Sequence, residues 1–223
     1  MKRRPEPELM DTDEQAIAYA QADFRESNSL FMRLLDEQRP GQLLGARALD
    51  LGCGPADIVI RFLRRYPQAT CDALDGSQPM LDLAKIDIEA LPGVAKRARL
   101  IRDVLPSPAL ERGAYDLILS NSLLHHLHQP QVLWDTVREV AKSGAMVLIM
   151  DLMRPASAGW AAALVESYAG GEADVLKQDF RNSLFAAFEP AEVTAQLQAA
   201  GLDDQLEVNV VSDRHLAVWG RLR

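Results

Sequence analysis

The stretch Ala48-Leu49-Asp50-Leu51-Gly52-Cys53-Gly54-Pro55-Ala56-Asp57 decides the fold. It is an apolar strand that ends in an acidic residue, runs into a glycine-rich turn and continues as a helix-like stretch. Such a turn brings backbone N–H groups and a helix N-terminus up to a ligand. One glycine permits the tight turn, and the other leaves room where a side chain would block the ligand. The dinucleotide pattern G-x-G-x-x-G wants a third glycine, and Asp57 stands in that place. The turn is therefore of the nucleotide-cofactor kind without its pyrophosphate-binding form.

Outward from this point the chain alternates. Ala46–Leu51 reads as a strand and Ala56–Tyr66 as a helix stopped by Pro67. Thr70–Leu74 is a strand ending at Asp75-Gly76, and Gln78–Leu91 a helix with Pro79 in its first turn. Leu100–Val104 and the apolar run Tyr115–Ser120 are strands, the second suited to the middle of a sheet. Gln131–Lys142 is a helix closed by Gly144, and Ala145–Asp151 a buried strand. Strands alternating with helices predict a parallel sheet with helices on both faces.

The alternation breaks after Asp151. Residues 155–188 have helical character with Gly170-Gly171 between two segments, and a further helix runs from Pro190 to near Gly201. Leu206, Val208 and Val210 alternate with polar residues, and His215–Gly220 follows after a short turn, so these two strands must pair antiparallel. Asp213-Arg214-His215 reads as turn chemistry.

Ahead of the first strand, residues 1–10 are polar and contain proline, and are expected to fray. A helix is predicted from about Asp13, carrying Ile17, Ala20 and Phe24. A second apolar stripe, Leu30, Phe31, Leu34 and Leu35, ends at Pro40-Gly41. The predicted architecture is α/β: a doubly wound, mostly parallel, Rossmann-like seven-stranded sheet with an antiparallel C-terminal hairpin. It is expected as one domain over 1–223, with an N-terminal helical cap (1–45), a core (46–151) and a lid-like helical insertion (155–188).

Charge and cysteines narrow the function classes. The formal net charge is −8, from 24 Lys+Arg against 32 Asp+Glu. No basic stripe is evident, which disfavours nucleic acid. Cys53 and Cys71 give no disulfide framework. Neither a signal peptide nor an apolar run of about 20 residues is present, so the expected setting is cytoplasmic, away from membranes.

A second acidic position strengthens the cofactor reading. Asp75 ends the second strand 21 residues after Gly54, where doubly wound folds place a carboxylate on ribose hydroxyls. The glycine turn resembles motif I of class I S-adenosylmethionine-dependent methyltransferases. Asp75-Gly76-Ser77-Gln78-Pro79-Met80-Leu81 resembles their acidic-x-Ser-x-x-Met-Leu segment, and Tyr115–Ser122 their fourth-strand motif. The resemblance covers about residues 46–151 by motif and the remainder by arrangement. It implies S-adenosylmethionine as cofactor, held by Asp50, Gly52, Cys53, Gly54, Asp75, Gly76, Met80, Asp103, Val104 and Asn121. Asp103 would meet the adenine amino group. Ala56 departs from the glycine usual in the family, and its small size is expected to make this harmless.

The acceptor side is less specified. Asn121-Ser122-Leu123-Leu124 lacks the Asn/Asp-Pro-Pro-Tyr sequence of enzymes that modify planar nitrogens, whereas Leu124-His125-His126-Leu127 resembles the segment of small-molecule members. His125-His126-x-His128 has spacing too short for a metal site, and no Cys, Asp or Glu ligand is nearby in sequence, so no metal is expected. Substrate contacts are expected from Tyr19, Phe24, His125, Tyr168, Asp179, Arg181 and Asn182, with His125, Tyr19 and Asn182 as candidates for catalysis. The implied activity is in-line methyl transfer to a small molecule, with a homodimer possible. The alternatives are an enzyme that modifies the cofactor, like carboxy-S-adenosylmethionine synthase, a methyltransferase of RNA or protein, and a non-catalytic cofactor-binding subunit.

Overall fold

Period-two alternation along the strands sorts the apolar side chains into two layers, one on each sheet face. The structure, a computed structural model, describes residues 1–38 and 45–223, with the backbone alone at Gln21. The strands are β1 (Arg47–Leu51), β2 (Thr70–Asp75), β3 (Ala98–Arg102), β4 (Tyr115–Asn121), β5 (Ala141–Leu152), β6 (Leu206–Val210) and β7 (His215–Arg221). They form one seven-stranded sheet of order β3-β2-β1-β4-β5-β7-β6. The first five are parallel, and β7 enters between β5 and β6, antiparallel to both. The expected sheet and its antiparallel ending are what the chain forms.

Helices α2 (Arg25–Glu37), α3 (Asp57–Arg65), α4 (Gln78–Glu89) and the single turn α5 (Pro92–Ala95) cover one face. There Phe31, Phe62 and Leu81 pack on Ala48, Ala73, Leu117, Leu119 and Leu148. Helices α6 (Gln131–Val140) and α9 (Pro190–Ala200) cover the other, where Trp134, Val137 and Leu197 meet Leu49, Leu51, Ile118, Val147 and Ile149. Before them comes α1 (Asp13–Gln21), and after β5 come α7 (Ala158–Ala169) and α8 (Asp174–Ala186). These last two share a smaller core of Ala161, Leu164, Leu184 and Phe185 with Leu152.

Several boundaries differ from the expected ones, each for a local reason. The stop at Pro40-Gly41 lies outside the described residues, with α2 ending at Glu37. The helix from Gln78 breaks before Pro92, which opens α5. Gly144 does not close α6: the chain turns extended at Ala141, which pairs with Tyr115 ahead of an irregularity in register. Gly144 instead supplies a φ of +81° within β5.

Ala56 requires a larger correction. It is the residue before α3 and has φ +69°, in the left-handed region that costs an L-residue roughly 1–2 kcal/mol. The glycine usual at this place answers a backbone demand, not one of size. Ala56→Gly should therefore stabilise the protein by about 0.5–1 kcal/mol, part of the relief being offset by a looser unfolded chain and a lost buried methyl. An unchanged or lower urea midpoint would show that the methyl contact outweighs the strain.

Residues 1–10 do not fray. The Arg3 guanidinium donates to the carbonyls of Ala186 (2.5 Å), His125 (2.9 Å) and Leu127 (3.2 Å), and lies 3.9 Å over the Phe188 ring. The Arg4 N–H donates to Phe185 O, and Ser77 Oγ donates to Met10 O at 2.7 Å. Polarity at a terminus suggests solvation; here the polar groups satisfy carbonyls that would otherwise lack donors. The segment is an arm laid across the carboxyl ends of the strands.

Candidate active site

Open α/β sheets bind ligands outside the carboxyl ends of their strands, where the strand order reverses. That place is the junction of β1 with β4, and a cavity of about 1270 Å³ lies there. Single-ligand pockets are about 300–1,000 Å³, so this one has room for two partners side by side.

The β1 end supplies one half. Gly52 takes φ +72°, and a Cβ there would lie 2.9 Å from Leu123 Cβ. Gly54 takes φ +52°, and among the described residues beyond its chain neighbours no atom lies within 4 Å of where its Cβ would be. Asp75 fixes the turn: one carboxylate oxygen accepts the Gly54 N–H and the other the Ser77 N–H, both at 2.8 Å. Ser77 caps α4 by accepting the Met80 N–H. At the β3 end, Asp103 accepts its neighbour Val104 N–H and the Ser107 hydroxyl, which hold its carboxyl below the ordinary range. Asp50, Gly52, Cys53, Gly54, Asp75, Gly76, Met80, Asp103, Val104 and Asn121 all line the cavity.

Among the described residues, Asp50 Oδ1 and Asn121 Oδ1 are buried with no hydrogen-bond partner, a cost of about 1–3 kcal/mol each unless a ligand supplies donors. Burial, with Asp75 adding repulsion, pushes the Asp50 carboxyl up to about 7. A ligand with amino or hydroxyl donors fits this cradle.

The other half is built around His125, in a 3₁₀ turn over Leu124–His126 directly after β4. Its Nδ1 lies 2.5 Å from Asp151 Oδ1 at the β5 end, and its backbone N–H donates to Asp151 Oδ2 at 3.2 Å. This double contact fixes the ring, with Nδ1–H toward the carboxylate and the Nε2 lone pair free. Burial works against the charged ring, but the Asp151 carboxylate together with Glu6 more than offsets it, and the His125 pKa is raised above the ordinary histidine value. His126 is held near 3 by burial and by His125.

Tyr19, Phe24, Tyr168, Asp179 and His125 line the same cavity. Tyr19 and Phe24 pair with ring centroids 4.5 Å apart. The Tyr168 ring lies 3.3 Å beneath the Arg214 guanidinium, and its hydroxyl donates to Asp213.

Arg181 and Asn182 are not among the lining residues. Leu176, Asp179, Phe180 and Ser183 are, at the three- and four-residue spacing of one helix face, which turns positions 181 and 182 away. Asn182 accepts from Gln178 on the surface, and the Arg181 guanidinium lies 5.8 Å from the Phe185 ring centroid. Conversely Arg214 and His215, read as turn chemistry, line the cavity, because β7 runs antiparallel to β5 and brings His215 beside Leu152.

The sequence also gave no notice of Glu6. Its Oε1 is buried without a hydrogen bond and lies 3.5 Å from both His125 Nε2 and His126 Nδ1. The only available signal was an acidic residue in a polar arm.

Residues 49–147 match a family model described as a methyltransferase domain. The chain is 31% identical over 119 residues to the malonyl-[acyl-carrier protein] O-methyltransferase of Halalkalibacterium halodurans, covering 52% of this chain and 43% of that protein. It is 34% identical over 106 residues to the trans-aconitate 2-methyltransferase of Methylobacterium nodulans, covering 47% and 38%. The chain thus spans less than half the length of these curated relatives. In fold it is similar to the plantazolicin methyltransferase BpumL, solved with a pentazolic desmethylPZN analog and SAH, with TM-score 0.68, 14% identity and coverage of 95% of this chain and 90% of that one.

Proposed function

We propose that the chain, whose residues 49–147 match a methyltransferase domain, is a class I S-adenosylmethionine-dependent methyltransferase that transfers a methyl group to a small molecule arriving protonated. The observation that carries this reading is a single cavity holding both a donor-seeking cradle and a buried His125–Asp151 pair.

In the cradle, Asp75 would take the ribose hydroxyls, Asp103 the adenine amino group, and the unpaired oxygens of Asp50 and Asn121 the remaining donors of the cofactor. The cofactor supplies a methyl already activated on sulfonium. The protein's part is to align the acceptor, exclude water and take its proton. Tyr19 and Phe24 from the N-terminal cap, Asp179 and Phe180 from α8 and the Tyr168–Arg214 pair enclose the acceptor side. With the cofactor bound, the methyl would leave sulfur for the acceptor's nucleophilic atom as S-adenosylhomocysteine departs; His125 Nε2 would take the acceptor's proton and Asp151 would hold the resulting imidazolium. Among the described residues no helix is long and apolar enough to cross a membrane. Cys53 and Cys71 are both free and buried, which supports a reducing, cytoplasmic setting.

Calorimetry with S-adenosylhomocysteine, followed by a screen of small hydroxyl, thiol and amine compounds for labelled-methyl acceptance, tests the reading. A folded protein with no affinity for S-adenosylhomocysteine would overturn it. Asp75→Ala should weaken that affinity about 10- to 100-fold, since hydrogen bonds to a charged group contribute about 1.5–3 kcal/mol. The same change should also loosen the turn, as Gly54 and Ser77 lose their acceptor. Unchanged affinity would remove Asp75 from the cradle.

A further inference from the structure

We propose that Glu6, His125 and His126 form a binding site for one divalent late-transition ion such as Zn²⁺ or Co²⁺. Their ligand atoms all lie within 4.8 Å of one another. Glu6 Oε1 stands 3.5 Å from His125 Nε2 and 3.5 Å from His126 Nδ1. Both separations are long for hydrogen bonds, which close at about 2.7–3.2 Å. They match the edge of a tetrahedron of ligands around zinc, about 3.3–3.5 Å when each ligand sits about 2.0–2.2 Å from the ion.

Three features make this more than a cluster. The Glu6 side chain is only 10% exposed and, among the described residues, Oε1 has no hydrogen-bond partner, so a buried acceptor faces two imidazoles, one of which, His126, has its Nδ1 also 3.3 Å from the Pro7 carbonyl oxygen. Arg3, anchored on the His125 and Leu127 carbonyls, fixes the arm that delivers Glu6. Behind His125, Asp151 takes the Nδ1–H, the carboxylate–histidine–metal relay that orients a ligating ring and raises its basicity. Two imidazoles and one carboxylate suit zinc, cobalt or nickel rather than calcium or magnesium, which prefer oxygen alone. His125 and His126 both line the cavity, which gives an ion its way in.

The binding stands apart from the proposed activity, but its consequence rests on that activity. His125 Nε2 has one lone pair. An ion that takes it leaves none for the acceptor's proton, so loading the site inhibits transfer to protonated acceptors.

The test uses the untagged full-length chain. Co²⁺ titration should give visible ligand-field absorption saturating at one ion per chain, and Zn²⁺ should displace it. Glu6→Gln and His126→Asn should each weaken Zn²⁺ binding by more than about 100-fold, beyond the roughly 10- to 100-fold usual for losing an outer partner alone. S-adenosylhomocysteine affinity measured on the same samples reports whether the cofactor cradle is intact, independently of the metal. With activity normalised to each protein's value in chelator, micromolar Zn²⁺ should inhibit the wild type and lose potency against Glu6→Gln. Absence of the cobalt spectrum, or Zn²⁺ binding indifferent to both substitutions, would overturn the site. Activation by Zn²⁺ would overturn the competition with proton transfer.

Discussion

His125→Asn should lower kcat about 10²- to 10⁴-fold, the usual contribution of a positioned general base, while S-adenosylhomocysteine affinity stays close to wild type. Asparagine keeps a donor toward Asp151 but offers no basic nitrogen on the cavity side. The pH profile adds a readout that a structural role would not move. His125 must be neutral to accept a proton, so activity should rise with pH along a limb above the ordinary histidine value, since the His125 pKa is raised. Asp151→Asn removes the carboxylate that raises it and should shift the limb to lower pH while cutting the rate. The stability linkage runs the other way. A raised folded-state pKa gives stability that is full below the unfolded value of about 6.5 and is lost as pH rises through the folded value. The fold therefore gains from the protonated ring at low pH, where the reaction loses its base. Turnover within about threefold of wild type in His125→Asn would remove the base from the mechanism; smaller than any expected base contribution.

The glycine-turn half of the cavity is legible because its determinants are local. A glycine turn, an acidic residue at a strand end and a capped helix follow one another in sequence, so residue type and spacing alone located Gly52, Gly54, Asp75 and Met80 on the cavity. The sheet was legible for a related reason: buried parallel strands are continuous apolar runs, and Tyr115–Asn121 and Ala145–Asp151 could hardly be anything else. Boundaries differ by a few residues, at Ala141 and Pro92, where register and a proline override propensity, and at β3, expected over Leu100–Val104 and found over Ala98–Arg102. Ala56 was misjudged on size because a φ value is not visible in a residue name.

The acceptor half was legible only in outline because its contacts join distant parts of the chain. The polar density of the insertion does not tell which helix face turns inward. Asp179 lines the cavity; Arg181 and Asn182 do not. Asp151 holds His125 from 26 residues away, and Arg3 reaches the His125 carbonyl across 122. No periodicity records such pairings. They emerge only once the sheet order has set β5 beside β4 and laid the arm over both.

The two glycines of the turn should fail in different ways when each is replaced by alanine. Both occupy the left-handed region, so each substitution carries roughly 1–2 kcal/mol of backbone cost. At Gly52 the new methyl would also press on Leu123 at 2.9 Å, and overpacking typically adds about 1–3 kcal/mol. Gly52→Ala should therefore lose about 2–5 kcal/mol of stability in urea denaturation. At Gly54 no described residue beyond its chain neighbours stands within 4 Å of the methyl, which therefore points into the open cavity where the proposed cofactor would lie. Gly54→Ala should cost only the backbone share of stability, while S-adenosylhomocysteine affinity falls by more than about tenfold, or 1.4 kcal/mol. The contrast separates a glycine that the fold needs from one that the ligand needs. Were Gly54→Ala to bind S-adenosylhomocysteine as tightly as wild type, the open space above the turn would not be where the cofactor lies.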